Sequence, residues 1–240
     1  MEKGRSLVSG QNRENTAEYG HSELSIPPSL MLPFSEACER NKAPILGVLK
    51  TAFADRSHVL EIGSGTGQHA VYFAHHLPHL TWHPTELSTG LANLAKRIKL
   101  EGGPNLSSPE LLDVRQEQWP LRSVDAIFTA NTFHIMSWPE VIATYRGVGV
   151  VLCAGGVMCI YGPFRYGGQY TSESNRQFDR TLRERNPESG LRDIELIVEL
   201  ANTSGLTLVN DHDLPANNRL LVFRKADPGV RNELTISHCV

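Results

Sequence analysis

The stretch Val59-Leu60-Glu61-Ile62-Gly63-Ser64-Gly65-Thr66-Gly67-Gln68-His69-Ala70 decides the fold of this 240-residue chain. Its apolar start, with β-branched residues, predicts a short buried strand, and three glycines at alternate positions predict a tight turn. A helix is then predicted from the apolar spacing of Ala70, Tyr72, Phe73 and Leu77. Glycine lets the backbone take a positive φ and lets a ligand approach, while the helix N-terminus directs free N–H groups to the same place. The sequence therefore predicts a nucleotide-like ligand at this turn.

Two classes of cofactor use such turns, and the spacing of the glycines separates them. A dinucleotide fingerprint needs a small residue three places after its second glycine, where this chain has Gln68. Here the third glycine is Gly67, and the strand ends in an acid, Glu61, two residues before Gly63. This pattern resembles motif I of class I S-adenosylmethionine (SAM) methyltransferases, which implies that the acid lies near the methionine ammonium of SAM. An ordinary turn with incidental glycines is the alternative.

Composition favours one large α/β domain. The chain is 40% hydrophobic, enough to fill a core at this length, and its formal net charge is −3. Its basic residues are dispersed, which disfavours nucleic acid as a partner. No apolar run approaches the roughly 20 residues of a membrane helix, and no secretory segment opens the chain. We therefore expect no membrane association and a cytoplasmic location.

Strand and helix patterns alternate on both sides of the glycine turn. A helix is predicted after Pro44, with Arg40 and Asn41 just before it. Further strands are predicted at 80–86, 111–114, 124–130, 157–161, 206–210 and 220–223, and further helices at 90–100, 139–152, 175–185 and 194–203. This order predicts a Rossmann-like, class I methyltransferase sheet of seven mostly parallel strands, with helices on both faces and an antiparallel last strand.

The chain divides into three predicted parts. Residues 1–30 are polar and without periodicity, which predicts an N-terminal extension, and residues 226–240 predict a loose tail. Residues 31–225 form the predicted methyltransferase domain. Within it, the polar segment at about 165–193 predicts a lid-like insertion that covers the ligand edge of the sheet.

Polar residues at the carboxyl ends of the predicted strands complete a candidate cofactor site. Glu86 ends the second strand, where a carboxylate can accept both hydroxyls of an adenosine ribose; capping of the next helix is a compatible alternative. Asp113 ends the third strand, where class I methyltransferases often contact adenine, and a plain loop aspartate is the alternative. The predicted cofactor-binding residues are Arg40, Asn41, Glu61, Gly63, Ser64, Gly65, Thr66, Gly67, His69, Glu86, Asp113, Val114 and Asn131.

Two residues are predicted to take part in catalysis. SAM carries an activated methyl group, so the protein mainly positions the acceptor and excludes water. Where the acceptor loses a proton, His134 is the predicted base, with a structural role as the alternative. Tyr161 is predicted to orient the acceptor, with core packing as its alternative. Arg40 and Asn41 could instead bind an anionic acceptor or be solvated, and no metal site is expected.

Five blocks carry a closer resemblance. They are Glu39-Arg40-Asn41-Lys42-x-Pro44-Ile45-Leu46, the motif I turn, Tyr161-Gly162-Pro163-Phe164, Ser174-Asn175-x-x-Phe178-Asp179 and Pro215-Ala216-Asn217-Asn218. In this order they resemble the methyltransferase-like 26 family, a poorly characterised group of SAM-dependent methyltransferase-like proteins, over roughly residues 31–224. The resemblance implies the class I fold and SAM as cofactor but no firmly known acceptor. The chain departs from the family pattern at Thr132-Phe133, Glu86 and Ser189.

The sequence thus predicts a SAM-dependent methyltransferase that acts on a small molecule, with a protein side chain as the second choice of acceptor. Asn131 matches the start of the Asn-Pro-Pro-Tyr motif of amino-group nucleic-acid methyltransferases, but Thr132 and Phe133 replace both prolines. A SAM-binding interaction protein without transfer activity is the main alternative. A nicotinamide-dependent oxidoreductase is a further alternative, which Gln68 and Glu61 disfavour.

Overall fold

The computed structural model describes Met1 and residues 32–227, in which six helices and ten strands are found. The helices are α1 (Glu36–Ala52), α2 (Gln68–His76), α3 (Ser88–Glu101), α4 (Trp138–Val151), α5 (Glu173–Arg185) and α6 (Ile194–Thr203). The strands are β1 (His58–Ile62), β2 (Thr81–Glu86), β3 (Glu110–Leu111), β4 (Val124–Ala130), β5 (Leu152–Gly162), β6 (Phe164–Tyr166), β7 (Gln169–Tyr170), β8 (Arg192–Asp193), β9 (Leu206–Leu214) and β10 (Asn218–Lys225). The predicted extension and tail lie almost wholly outside the described residues.

Seven strands form one sheet in the order β3-β2-β1-β4-β5-β10-β9. The five strands from β3 to β5 are parallel, and β10 runs antiparallel to both β5 and β9. The predicted seven-stranded, mostly parallel sheet with an antiparallel last strand is therefore confirmed. The strand order departs in opposite directions from β1 and β4, which makes this pair the topological switch point where open α/β sheets bind ligands.

Helices cover both faces of the sheet, because alternate side chains of its central strands point to opposite sides. Leu60 of β1 and Ile127 of β4 belong to a hydrophobic cluster with α4 and α6. Their neighbours Val59 and Phe128 belong to a second cluster with α1 and α2. Burial on both faces explains why these strands are almost continuously apolar in sequence. No helix in the described part of the chain is both long and apolar enough to cross a bilayer.

Helix α1 begins earlier than predicted, so that Arg40 and Asn41 lie within the helix instead of before it. The helix starts at Glu36, where the Ser35 side chain accepts a hydrogen bond from the Cys38 amide, 3.3 Å. Pro44 therefore lies inside the helix rather than in its first turn, and Arg40 and Asn41 are helical. A proline inside a helix removes one backbone hydrogen bond. The apolar face of α1 is buried against the sheet, and this packing overrides the local preference.

Several predicted strand boundaries were also wrong; β9, for example, runs to Leu214 instead of ending at residue 210. Strand β5 begins at Leu152, directly after α4, instead of at residue 157. Leu152 pairs with Val124 and Val157 with Ala126, so the intervening residues bulge out of the ladder, with Gly155 at φ +68°. Strand β3 ends at Leu111, before Asp113. The segment at 165–193 contains the predicted helix, α5, and in addition most of a small sheet in the order β7-β6-β8.

Two glycines of α4 provide a matched test of how closely this helix packs against the buried Trp119. A Cβ on Gly147 would lie 2.1 Å from Cζ2 of the buried Trp119, whereas one on Gly149 would lie 3.5 Å from Cβ of Ser204. We expect Gly147→Ala to lower the free energy of unfolding by about 1–3 kcal/mol, because the Trp119 ring must move. Gly149→Ala should be neutral or stabilising by up to about 1 kcal/mol through helix propensity. Urea unfolding of both variants measures the difference, and equal stabilities would contradict the expected clash.

Candidate functional site

A cleft of about 680 Å³ lies at the carboxyl ends of β1, β2 and β4, and we call it the first cleft. Its volume is in the range of small-molecule sites. Ten predicted site residues line it: Gly63, Ser64, Gly65, Thr66, His69, Glu86, Asp113, Val114, Asn131 and His134. These residues come from four separate parts of the chain, and the parallel sheet brings them together because the carboxyl ends of its strands share one edge.

The three glycines of the turn have different surroundings. All three have positive φ, +70° at Gly63, +54° at Gly65 and +76° at Gly67. A Cβ on Gly63 would lie 2.6 Å from Cγ2 of Thr132, and one on Gly67 would lie 2.7 Å from Cδ1 of Leu94. Gly65 differs, because no described atom beyond its chain neighbours lies within 4 Å of a Cβ built there. Gly63 and Gly67 thus permit close packing, whereas Gly65 leaves open space in the first cleft.

The carboxylate of Glu86 fixes the turn at the end of β2. One of its oxygens accepts a hydrogen bond from the Gly65 amide, 2.7 Å, and the other accepts one from the Leu87 amide, 2.8 Å. Each carboxylate oxygen can accept a second hydrogen bond. Glu86 can therefore hold the turn and the start of α3 while it still presents acceptors to a ligand in the first cleft.

Glu61 lies beneath the turn and does not line the first cleft. Its carboxyl is buried and accepts a hydrogen bond from Nε1 of Trp82, 2.9 Å. Burial raises the pKa of Glu61 to about 7, opposed by the hydrogen bond from Trp82 and the nearby Ser64 hydroxyl. The Ser64 hydroxyl is buried beside the first cleft, and no described atom lies at hydrogen-bonding distance and angle from it. The Glu61 carboxyl is therefore poised between its two protonation states near neutral pH.

Asp113 lies in the loop after β3 and is paired with Arg115. The Arg115 guanidinium donates to both carboxylate oxygens, with Nη2–Oδ2 at 2.6 Å and Nε–Oδ1 at 2.9 Å. These hydrogen bonds hold the pKa of Asp113 below its ordinary value. The carboxylate is thus charged and held at the rim of the first cleft, next to the buried side chain of Val114.

A second cleft, of about 400 Å³, adjoins the first, and Ala37, Asn131 and Phe178 line both. Arg40, Asn41 and Tyr161 line the second cleft and not the first. Arg40 and Asn41 thus lie in a different cleft from most of the other predicted cofactor residues, although Asn131 lines both clefts. Because α1 begins at Glu36, the two side chains stand on the helix and line the second cleft beside Tyr161 at the end of β5.

His69 and Asn41 connect the two clefts through a buried contact. Nε2 of His69, which lines the first cleft, lies 2.7 Å from Oδ1 of Asn41, which lines the second. Burial lowers the pKa of His69 to about 4, so the ring is neutral at pH 7. A neutral ring with a fixed partner orients the amide of Asn41 without placing a charge between the clefts.

His134 lines the first cleft beside the insertion at 165–193. It is buried, and its ring packs edge-to-face on Phe178 of α5, with 5.2 Å between ring centroids. Burial, together with the positive charge of Arg192, lowers the pKa of His134 to about 4. Sequence reasoning missed Phe178 as a site residue, although it lies within one of the quoted blocks. The sequence of α5, which carries Phe178, is polar, and no pattern in it indicated that this helix would lie over two clefts.

The pKa of His134 makes stability depend on pH. The ring has a lower pKa folded than its ordinary 6.5, so the unfolded chain binds the proton first and stability is lost as pH falls from 6.5 towards 4. We expect the stability of the wild type relative to His134→Gln to fall by about 2 kcal/mol from about pH 7.5 to about pH 5, at 1.4 kcal/mol per pK unit. His69 and Glu61 titrate in both proteins and cancel. Urea unfolding at the two pH values measures this, and identical pH slopes would contradict the burial of His134.

Comparisons with known proteins agree with the fold. A family model described as "Protein of unknown function (DUF938)" matches residues 32–225. An O-methyltransferase family protein from Burkholderia thailandensis superposes with a TM-score of 0.70 at 16% identity, covering 80% of this chain and 58% of that one. Human N-acetylserotonin methyltransferase in complex with SAM gives 0.69 at 12% identity, covering 80% and 53%. A putative O-methyltransferase from Nostoc punctiforme PCC 73102 gives 0.69 at 13% identity, covering 78% and 56%.

The chain therefore spans little more than half the length of these solved structures. At such identities the likeness shows the class I methyltransferase fold alone.

Proposed function

We propose that this chain, which belongs to the DUF938 family, is a SAM-dependent methyltransferase that acts on a small molecule. One observation carries the proposal: Gly65, at φ +54°, borders open space in the first cleft, between the buried Glu61 and the Glu86 carboxylate. The resemblance to the methyltransferase-like 26 family supports the same cofactor. So does the likeness to the solved structures of human N-acetylserotonin methyltransferase in complex with SAM and of PigF with S-adenosylhomocysteine (SAH), the product that SAM leaves.

The residues of the first cleft fit SAM chemically. SAM when bound supplies a methyl group activated by its positively charged sulfur, and its bond to sulfur breaks as the acceptor atom attacks. Glu86 offers acceptors for the ribose hydroxyls, and we assign Asp113 and Val114, which line the same cleft, to adenine. Glu61 is the nearest buried acid to the turn. An ammonium group above it would stabilise the carboxylate and lower its pKa from about 7.

The charge of the first cleft also suits a cationic ligand. Three carboxylates line it, from Glu86, Asp113 and Glu140, and no Lys or Arg lines it within residues 32–227. Arg115 pairs with Asp113 and lies 4.0 Å from Glu140, so Glu86 is the acid of the cleft that makes no ion pair with a described residue. Phe178 and Ile135, both partly exposed, stand at its mouth, where they would help to exclude water. Opposite charge favours binding of the sulfonium, and exclusion of water protects the transfer.

We further propose that His134 accepts the proton that a hydroxyl or amine acceptor loses when it is methylated. Its ring is neutral at pH 7 and lines the first cleft, and the side-chain contact described for it is the packing on Phe178 rather than a hydrogen bond. A free nitrogen lone pair beside the first cleft is the requirement for this role.

Gly65→Val should abolish cofactor binding, because the side chain would fill the space left by the glycine. We expect micromolar binding of SAM and SAH by isothermal titration, no binding of NAD, and weakening by about 100-fold or more in the variant. Gly167→Val is the matched control, since Gly167 has φ +53° and open surroundings between β6 and β7, outside both clefts. Unchanged affinity in Gly65→Val, or binding of NAD alone, would refute the proposed site. Cofactor binding without turnover on any metabolite fraction would favour the interaction protein.

His134→Ala should slow methyl transfer far more than it weakens cofactor binding. Once labelled SAM and fractionated metabolites reveal an acceptor, we expect kcat to fall about 100-fold, the usual contribution of a positioned base, with the Kd for SAH within about twofold. His212→Ala, on β9 and outside both clefts, is the control. Full activity of His134→Ala would remove the proposed role.

A further inference from the structure

The second cleft differs from the first in charge. Arg40 is the only charged residue among those that line it in the described part of the chain, and no carboxylate does. Its guanidinium is exposed and makes no ion pair with a described residue. The two adjoining clefts thus differ in charge, with acids around the first and, beside the second, an Arg40 that has no ion-pair partner among the described residues. Such a division favours a cationic ligand in one and an anionic ligand in the other.

Tyr161 supplies a hydrogen-bond donor at the base of the second cleft. Burial raises the pKa of its hydroxyl above the ordinary value, and the nearby amides of Asn41 and Asn218 oppose this only in part. The hydroxyl therefore stays protonated at neutral pH and cannot serve as a base. Its neighbour Asn41 is held in turn by the neutral His69 ring, 2.7 Å away. Tyr161 is thus an oriented donor, which suits an anionic oxygen.

The turn between β9 and β10, which lines the second cleft, is held in a fixed and strained conformation. The turn between β9 and β10 has two residues with positive φ, Ala216 at +63° and Asn217 at +57°. Such a conformation is unfavourable for alanine and persists only where the surroundings enforce it. The buried Asn175 of α5 donates to the Asn217 carbonyl, 3.0 Å, and so ties the turn to the insertion. This turn, through Pro215, contributes apolar lining to the second cleft, as do Pro163 and Phe178. The polar groups Arg40 and Tyr161 line the same cleft.

We propose that the second cleft is the acceptor site and that it binds a small carboxylate with an apolar body through Arg40 and Tyr161. The carboxylate is the part by which the acceptor is held. The atom to be methylated belongs to the rest of the molecule and is directed past Asn131 and Phe178 towards the first cleft. This inference rests on the proposed function, because an acceptor site is required here only if a cofactor in the first cleft donates a methyl group.

The test compares carboxylic acids with their uncharged amides on the full-length protein, with and without saturating SAH. The probes are benzoate and benzamide, phenylacetate and phenylacetamide, and hexanoate and hexanamide, measured by ligand-observed NMR and titration calorimetry. We expect the acids to bind the wild type at least about 10-fold more tightly than the amides, as a charge-assisted contact provides. Arg40→Gln should remove this preference, and Tyr161→Phe should weaken binding of the acids by about 10-fold. Arg146→Gln, at an exposed position on α4 outside both clefts, is the matched control.

The outcomes separate the acceptor site from the proposed function. Equal binding of acids and amides to the wild type, or an acid preference that survives in Arg40→Gln, overturns the acceptor site while SAH binding leaves the methyltransferase proposal intact. A loss of SAH affinity in Arg40→Gln assigns the guanidinium to the cofactor and also overturns it. Failure of the wild type to bind SAH, together with an Arg40-dependent acid preference, overturns the methyltransferase proposal but retains the anion site.

Discussion

The hydrogen bond from the Gly65 amide to the Glu86 carboxylate holds the candidate site together. Strand β1 ends where the chain must reverse into α2, and within the turn the Gly67 amide donates to the Ser64 carbonyl, 2.9 Å. Two further amides are satisfied from β2: Ser64 donates to the Thr85 carbonyl, 2.8 Å, and Gly65 donates to Glu86, 2.7 Å. In return the Thr85 hydroxyl donates to the Glu61 carbonyl, 2.6 Å. The end of β2 therefore fixes the glycine turn. The open space at Gly65 depends on the contacts between the ends of β1 and β2.

The arrangement of charge follows from this geometry and from burial. Polar groups at the carboxyl edge of the sheet are either paired, as Asp113 is with Arg115, or kept uncharged by desolvation, as His69 and His134 are. What remains charged and accessible is acidic in the first cleft and basic in the second. Two ligands of opposite charge could thus lie side by side with neutral rings and amides between them, which limits repulsion between the protein and either ligand.

Much of this fold could be predicted from the sequence, because local pattern and tertiary structure agree there. The glycine turn, the strand that ends in Glu61 and the alternation of elements each have a local signal, and the sheet order follows from the rules for parallel strands. The position of Arg40 could not be predicted, since Pro44 is tolerated inside α1 only because the helix is packed on the sheet. Nor could Phe178 be placed over both clefts. The helix that carries it is polar on most sides, and its position depends on long-range contacts such as that between Asn175 and Asn217.

The low pKa of His134 bears on which acceptors the site could serve. A ring whose pKa is about 4 is a weak base, and it would not remove a proton from a free alcohol or ammonium group before transfer begins. Once the methyl group is partly bonded to a hydroxyl oxygen, however, that oxygen carries positive charge and its proton becomes strongly acidic. A weak, uncharged base is then sufficient, and it has the advantage of remaining neutral beside Arg192 and beside a cationic cofactor until that moment. Burial of His134 is therefore compatible with late proton transfer from a neutral nucleophile, and it disfavours any mechanism that requires the acceptor to be ionised first by this residue.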